Sequence, residues 1–290
     1  MKILVLGGTG YIGSVVVHQL TLDGHDVTLL VKSADRLGPE VPVRVGDLTD
    51  PDSLRAAVTD DIDAVLDIAP PTGDEAVDAA AVDALLEPLR GTGRAFVYTS
   101  GVWVLGRTGD APVDEDTATD PIAIVGYRPR IEQRVLAAAA DGVRAIVLRP
   151  GIVYGQGGGI PSLMLGWAKS DGVGRYVGAA GTRWPMVHVA DLAELYALAL
   201  AKGPAGGVLH GVAHEDVPVA ALAAVADVVA GGPGRAEPWA VELAAETLGA
   251  PFAEALALHQ VVSARRTVAE LGWRPSRPHA LTDLAGGAGA

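Results

Sequence analysis

The run 3-ILVLGGTGYIG-13 constrains this chain more than any other stretch of its 290 residues. An apolar segment of strand length passes directly into a helical pattern over 12–22, and the turn between them carries Gly7, Gly10 and Gly13 in G-x-x-G-x-x-G spacing. Without Cβ atoms at these points the backbone turns tightly and its N–H groups approach a ligand closely. The helix N-terminus behind the turn carries partial positive charge, so the ligand that suits it is an anion such as a pyrophosphate. Thr9, Tyr11 and Ile12 belong to the same cradle. The bland alternative, an ordinary strand-to-helix turn, is disfavoured by the strand, glycine and helix context.

The rhythm continues downstream. Runs rich in Val, Ile and Leu recur at 2–6, 26–31, 42–45, 63–68, 95–99 and 143–149, each followed by a longer segment with helical spacing or helix-start signals. Continuous apolar strands alternating with helices predict an α/β fold: a Rossmann doubly wound parallel sheet with helices on both faces, binding its ligand at the carboxyl ends of the strands. After 148-LRPGIVYG-155 the rhythm breaks. We expect a loop over 156–162, a short helix over 163–169, a strand passing into a helix over 185–200, a strand at 206–212 and helices near 218–230 and 240–257. Residues 1–152, with 185–212, are expected to form the NAD(P)-binding domain. Residues 153–184 and 213–284 are expected to form a smaller C-terminal substrate lobe, and 285–290 a flexible tail.

Composition removes several function classes. The net charge of −13, with no basic cluster interleaved with aromatics, argues against a nucleic-acid partner. No apolar run approaches the roughly 18 residues of a membrane span, and the N-terminal lysine runs straight into the glycine motif rather than into a leader peptide. The chain has no cysteine, which excludes disulfides and thiolate metal ligands and suits the cytoplasm. None of the seven histidines stands in a metal-ligand spacing, so no metal is expected.

The second strand, 26-DVTLLVKS-33, ends where an acidic residue would bind the adenine ribose 2′-hydroxyl of NAD. Lys32 stands there instead, with Ser33 and Arg36 close by, a donor set that favours the 2′-phosphate of NADP. An exposed basic edge is the alternative. The third strand leads to 46-GDLTD-50, where Asp47 either accepts from the adenine amino group, with the Leu48 backbone completing the contact, or caps the helix starting near Pro51.

These motifs, with 96-FVYTSG-101, 187-VHVADLA-193 and 271-LGWRP-275 in the same order, resemble the extended short-chain dehydrogenase/reductase superfamily, the NAD(P)-dependent epimerase/dehydratases. The resemblance spans nearly the whole chain. It implies that Ala69 and Pro70 lie beside the cofactor and that Pro150, Gly151 and Val153 lie near the nicotinamide. It also implies a homodimer through helices flanking the sheet, and a structural hydrogen-bonding role for His188 and Asp191.

The chain departs from the family at the Tyr-x-x-x-Lys pair. Four residues beyond its tyrosines stand Val15, Val102, Ile131, Gly158, Ala180 and Leu200, none of them lysine. In the helix expected over 123–140, aligning Tyr127 on the family tyrosine puts Ile131 in the lysine slot. Aligning Glu132 and Arg149-Pro150 on their usual partners puts Ile124 in the tyrosine slot and Arg128 in the lysine slot, the register we prefer. Arg128 then binds the ribose hydroxyls and adds positive potential, but it stays protonated and is no general acid. Tyr127, almost one helical turn beyond the vacant slot, is either a substitute proton donor or a packed aromatic. Ser100, followed by Gly101 rather than a second hydroxyl, either inherits the substrate contact or caps the strand end.

Trp103, Trp167 and Trp184 line a substrate cavity or serve packing, and 157-GGG-159 reads as a flexible lip. The leading expectation is an NADP-dependent oxidoreductase of a small carbonyl or alcohol, with a proton relay of Tyr127, Ser100 and water. Two alternatives stand beside it. One is a redox-neutral epimerase, isomerase or lyase, and the other a catalytically degenerate dinucleotide sensor or scaffold.

Overall fold

A computed structural model describes residues 1–33 and 42–286. The first part of the chain alternates β1 (Lys2–Leu6), α1 (Tyr11–Leu22), β2 (Asp26–Val31), β3 (Val43–Val45), α2 (Pro51–Ala57), β4 (Ala64–Asp67), α3 (Glu75–Leu86), β5 (Ala95–Thr99), α4 (Arg128–Ala137) and β6 (Arg144–Pro150). There follow β7 (Ile152–Gly155), α5 (Gly159–Asp171), β8 (Gly174–Val177), β9 (Arg183–His188), α6 (Val189–Lys202) and β10 (Gly207–Gly211). The chain closes with β11 (His214–Pro218), α7 (Val219–Val229), β12 (Ala236–Trp239), α8 (Val241–Leu248), α9 (Ala250–Leu256), α10 (Arg265–Leu271) and α11 (Ala280–Gly286).

Seven strands form one sheet in the order β3-β2-β1-β4-β5-β6-β10, and the pairings from β3 through β6 are parallel. This is the doubly wound arrangement, with its reversal of strand order between β1 and β4. The core explains why continuous apolar runs make these strands: successive side chains point to opposite faces, and both faces are covered. On one face Leu4, Leu6, Val65, Phe96 and Val147 pack against Leu54 of α2, Val82 and Leu85 of α3, and Ile131 and Val135 of α4. Ile3, Val5, Leu66, Val97 and Ile146 alternate with these residues along the strands and are fully buried.

Two compact units divide the chain. The first comprises 1–100, 127–149 and 193–209, and the second 101–126, 150–192 and the chain from His210 onward. The stretch 101–126, which the strand rhythm assigns to the nucleotide domain, thus belongs to the second unit. Hydrogen bonds explain why: the Gln260 side-chain amide donates to the carbonyls of Val102 and Gly106, and Val113 bridges to Val262. The second unit has a three-stranded sheet, β11-β9-β7, and a two-stranded one, β12-β8. Its apolar cluster includes Tyr154, Met164, Trp184, Leu222 and Leu256.

Three local readings change. Segment 123–140 is not one helix: a 3-10 turn at Ala123–Val125 precedes α4, and another at Ala138–Asp141 follows it. Pro129 has no N–H to donate, which confines it to a first helical turn and sets the start of α4. The expected loop over 156–162 is shorter and the helix after it longer, because α5 begins at Gly159 itself and carries Pro161 in its first turn. The segment 240–257 forms two helices, broken at Gly249 with φ of +83°.

Candidate functional site

At the strand reversal the carboxyl ends of β1, β2, β3 and β4 open a groove of ≈ 950 Å³. Its walls are Gly7 and Thr9 after β1, Lys32 and Ser33 after β2, Gly46 and Leu48 after β3, and Ala69, Pro70 and Thr72 after β4. Gly7 sits at φ +75°, and a Cβ there would stand 2.6 Å from the Ala69 nitrogen. A Cβ on Gly13 would stand 2.1 Å from the Gly7 carbonyl oxygen, so the helix can press against the turn only with glycine present. Gly10 closes the turn by donating to the Gly7 carbonyl at 3.0 Å. Tyr11 and Ile12 open α1, which has no side-chain cap and no acidic residue in its first turn. No carboxylate of that turn therefore opposes its N-terminal field, which suits an anion.

At the β2 side of the groove the Lys32 ammonium lies 3.2 Å from the Asp47 carboxylate, with the lysine side chain 72% exposed. Asp47 accepts from the Thr49 backbone N–H at 2.9 Å and from its hydroxyl at 3.0 Å. These bonds, the backbone one first, hold its carboxyl below the usual range, and Lys32 adds to the effect. Asp47 is not the cap of α2. That cap is Asp50, whose carboxylate accepts from the Ser53 N–H. Arg36 lies outside the described residues.

A second group of polar residues gathers beyond the ends of β4 and β5. Arg128 donates from Nη2 to the Thr99 carbonyl at 3.0 Å, and its guanidinium lies 5.7 Å from the centre of the Tyr98 ring. Its Nε is buried without a hydrogen-bond partner. Ser100 holds its place in the sheet by donating its N–H to the Leu148 carbonyl, but its Oγ is buried and has no partner, so it caps no strand end. Thr99 Oγ1 and the Tyr196 hydroxyl share a 2.6 Å hydrogen bond. A small void of ≈ 20 Å³ is lined by Leu48, Ala69 and Pro70 together with Asp67, Asp78, Tyr98 and Arg128.

Asp67 and Asp78 are buried acids that the apolar pattern does not single out. Burial raises the Asp67 pKa to about 6, against the opposing pull of its bond from the Ala69 N–H and of the Arg128 charge. Tyr98 is pushed up to about 12 by burial. Tyr127 donates its hydroxyl to Asp78 Oδ2 at 2.6 Å and accepts from the Gly73 N–H at 3.2 Å. Desolvation and the Asp78 carboxylate together raise its pKa to about 12. The hydroxyl expected as a proton donor is thus committed to a carboxylate and held far from titration at neutral pH.

Glu132 accepts two hydrogen bonds from Arg149, at 2.6 and 3.0 Å. This contact ties α4 to β6, one helical turn beyond Arg128. Pro150, Gly151 and Val153 lie in the second unit, where the Gly151 N–H donates to the Gly211 carbonyl and Val153 pairs with Val187.

Residues 3–210 match the model of the NAD dependent epimerase/dehydratase family. This chain belongs to that family. A Schizosaccharomyces pombe protein, "Uncharacterized protein C2A9.02", is 33% identical, with 98% of each chain covered. The "3-diazoavenalumate denitrifying reductase" of a Streptomyces species is 30% identical over 96% of this chain and 97% of its own. The crystal structure of human epimerase family protein SDR39U1 (isoform2) with NADPH superposes with a TM-score of 0.81 at 27% identity, over 99% of each chain.

Other side chains of this family member serve the scaffold. Asp191 accepts from the backbone N–H groups of Ser276 and Arg277, and His188 Nδ1 accepts from the Ala190 N–H. Trp184 belongs to the apolar cluster of the second unit, and the partly buried Trp103 and Trp167 pack against it. Among the described residues no cluster of His, Asp or Glu is placed to hold a metal ion, and no helix is long and apolar enough to cross a membrane.

Proposed function

We propose that this chain is an NADP(H)-dependent oxidoreductase acting on a small carbonyl or alcohol substrate. The observation that carries the reading is the groove at the strand reversal, whose glycine turn leaves room for a pyrophosphate and whose β2 wall ends in Lys32 and Ser33 rather than in an acid. The NADPH of the human relative and the reductase name of the Streptomyces relative support it.

Bound there, the nicotinamide supplies or accepts a hydride. The chain does the rest. Lys32 offers a cation to the 2′-phosphate, exchanging part of its pairing with Asp47. Arg128, anchored on the Thr99 carbonyl, has a donor to spare for ribose hydroxyls and adds positive potential that favours charge on a substrate oxygen. It cannot release a proton. Ser100 Oγ, buried and unpartnered, positions the substrate oxygen, with water completing the relay. The relay therefore excludes Tyr127, whose hydroxyl serves Asp78.

Calorimetric titration with NADPH and NADH, followed by the loss of NADPH absorbance against a panel of aldehydes and ketones, tests this reading. Tighter binding of NADPH and turnover with at least one carbonyl are expected. A protein that binds NADPH yet never oxidises it refutes the reductase reading. Membership of the epimerase/dehydratase family supports a second reading, a redox-neutral epimerase or lyase, which predicts tightly copurifying cofactor without net turnover.

A further inference from the structure

The loop between β4 and α3 has few ways to satisfy its own backbone. Pro70 and Pro71 have no N–H, and each remaining donor from 69 to 74 goes to a side chain of the first unit. Ala69 N–H donates to Asp67, Thr72 N–H to Asp78, Gly73 N–H to the Tyr127 hydroxyl and Asp74 N–H to the Thr72 hydroxyl. The Thr72 hydroxyl in turn donates to Asp78 Oδ1 at 2.7 Å, while Tyr127 holds Oδ2 of the same carboxylate. One buried carboxylate and the hydroxyl of Tyr127 that grips it, at the N-cap of α4, thus tie down two consecutive residues of the loop.

This loop is a wall of the cofactor groove. Ala69, Pro70 and Thr72 line it, and the Gly7 turn rests on the backbone of residues 68 and 69. We infer that Tyr127 is a positioning residue: through Asp78, Thr72 and Gly73 it clamps the loop that walls the dinucleotide groove, and it acts on cofactor affinity rather than on proton transfer. The inference rests on the dinucleotide reading of the groove, but not on any particular substrate or on turnover. It also gives the tyrosine next to the vacant slot a use: a hydroxyl in the loop's service needs no lysine beside it.

The test is NADPH affinity, by titration calorimetry, of the full chain and its variants Tyr127→Phe, Asp78→Asn and Thr72→Val, with thermal melting to verify folding. A hydrogen bond to a charged group is typically worth enough to change an equilibrium roughly tenfold, so each variant is expected to bind NADPH roughly tenfold more weakly. Tyr127→Phe combined with Asp78→Asn should cost little more than either alone, because both release the same clamp. For Tyr127→Phe on a reactive carbonyl, KM for NADPH should rise while kcat stays near that of the unmodified protein.

Unchanged affinity in a folded Tyr127→Phe protein overturns the inference, as does a fall in kcat at unchanged affinity, which marks a proton donor. Failure of the unmodified protein to bind either dinucleotide overturns both the clamp and the cofactor reading. NADPH bound without turnover defeats only the reductase reading and leaves the clamp standing.

Discussion

Glu132 and Arg149 form a bidentate ion pair in which neither side chain is more than 5% exposed. Removing one partner leaves a desolvated charge behind, which typically costs about 3–5 kcal/mol, whereas replacing both by apolar residues of similar size costs far less. Glu132→Ala should therefore lose several kcal/mol in urea denaturation, and Glu132→Met with Arg149→Met should recover most of that loss. Strictly additive losses would contradict this account. The pair also holds α4 on β6, so Glu132→Ala should weaken NADPH binding by displacing Arg128 from the Thr99 carbonyl.

Lys32 decides between the two dinucleotides if its ammonium meets the 2′-phosphate. Its high exposure places the contribution at the lower end for a charge-assisted bond, so Lys32→Ala should weaken NADPH binding roughly tenfold and leave NADH within about twofold. Lys32→Glu should reverse the preference by restoring an acceptor for a free 2′-hydroxyl. Parallel titrations at fixed ionic strength read both outcomes. Equal losses for the two cofactors would show that Lys32 does not touch the phosphate.

The sheet was legible because its strands are covered on both faces. The apolar runs at 2–6, 26–31 and 95–99 coincide with β1, β2 and β5, and the others fall within about one residue of theirs. No such signal marks β8 or β12, which read Gly-Arg-Tyr-Val and Ala-Glu-Pro-Trp and pair only across a long chain separation. The tight turn between β1 and α1 was legible from glycine spacing. Asp67 and Asp78 were missed, although an aspartate closing the apolar strand Ala64–Asp67 was itself a clue, since buried charge needs a partner. The positive charge that acts against its burial, Arg128, comes from a distant helix that no local pattern connects to β4. The Tyr127 bond to Asp78 was hidden for the same reason.

Gly13→Ala inverts the usual rule for helices. Alanine normally stabilises a helical position relative to glycine by about 1 kcal/mol, but here the added Cβ meets the backbone of Gly7 and Gly8, which no rotamer change relieves. We expect Gly13→Ala to destabilise the protein by about 1–3 kcal/mol and to abolish measurable NADPH binding. At Gly10 the nearest atom to an added Cβ, the Gly7 carbonyl oxygen, is 3.3 Å away, a contact that needs a shift of only a few tenths of an ångström, so Gly10→Ala should lose much less stability than Gly13→Ala. Urea denaturation of the two variants side by side distinguishes them, and equal losses would refute the packing argument.

Asp67 carries a pH signature. Its folded pKa of about 6 exceeds the ordinary value of 3.8, so between these two values the folded state binds more protons than the unfolded chain. Stability from this group is therefore fully present below pH 3.8 and is lost as the pH rises through about 6, where the carboxylate must ionise in a buried site facing Arg128 and Asp78. A shift of this size corresponds to about 3 kcal/mol. Asp67→Asn removes the titration. The stability of Asp67→Asn relative to the unmodified protein should rise by about 3 kcal/mol between pH 4 and pH 7, whatever the difference at pH 4. Urea midpoints across that range measure it. A flat difference would mean that Asp67 titrates alike in the folded and unfolded chains, and that Arg128 already compensates its burial in full.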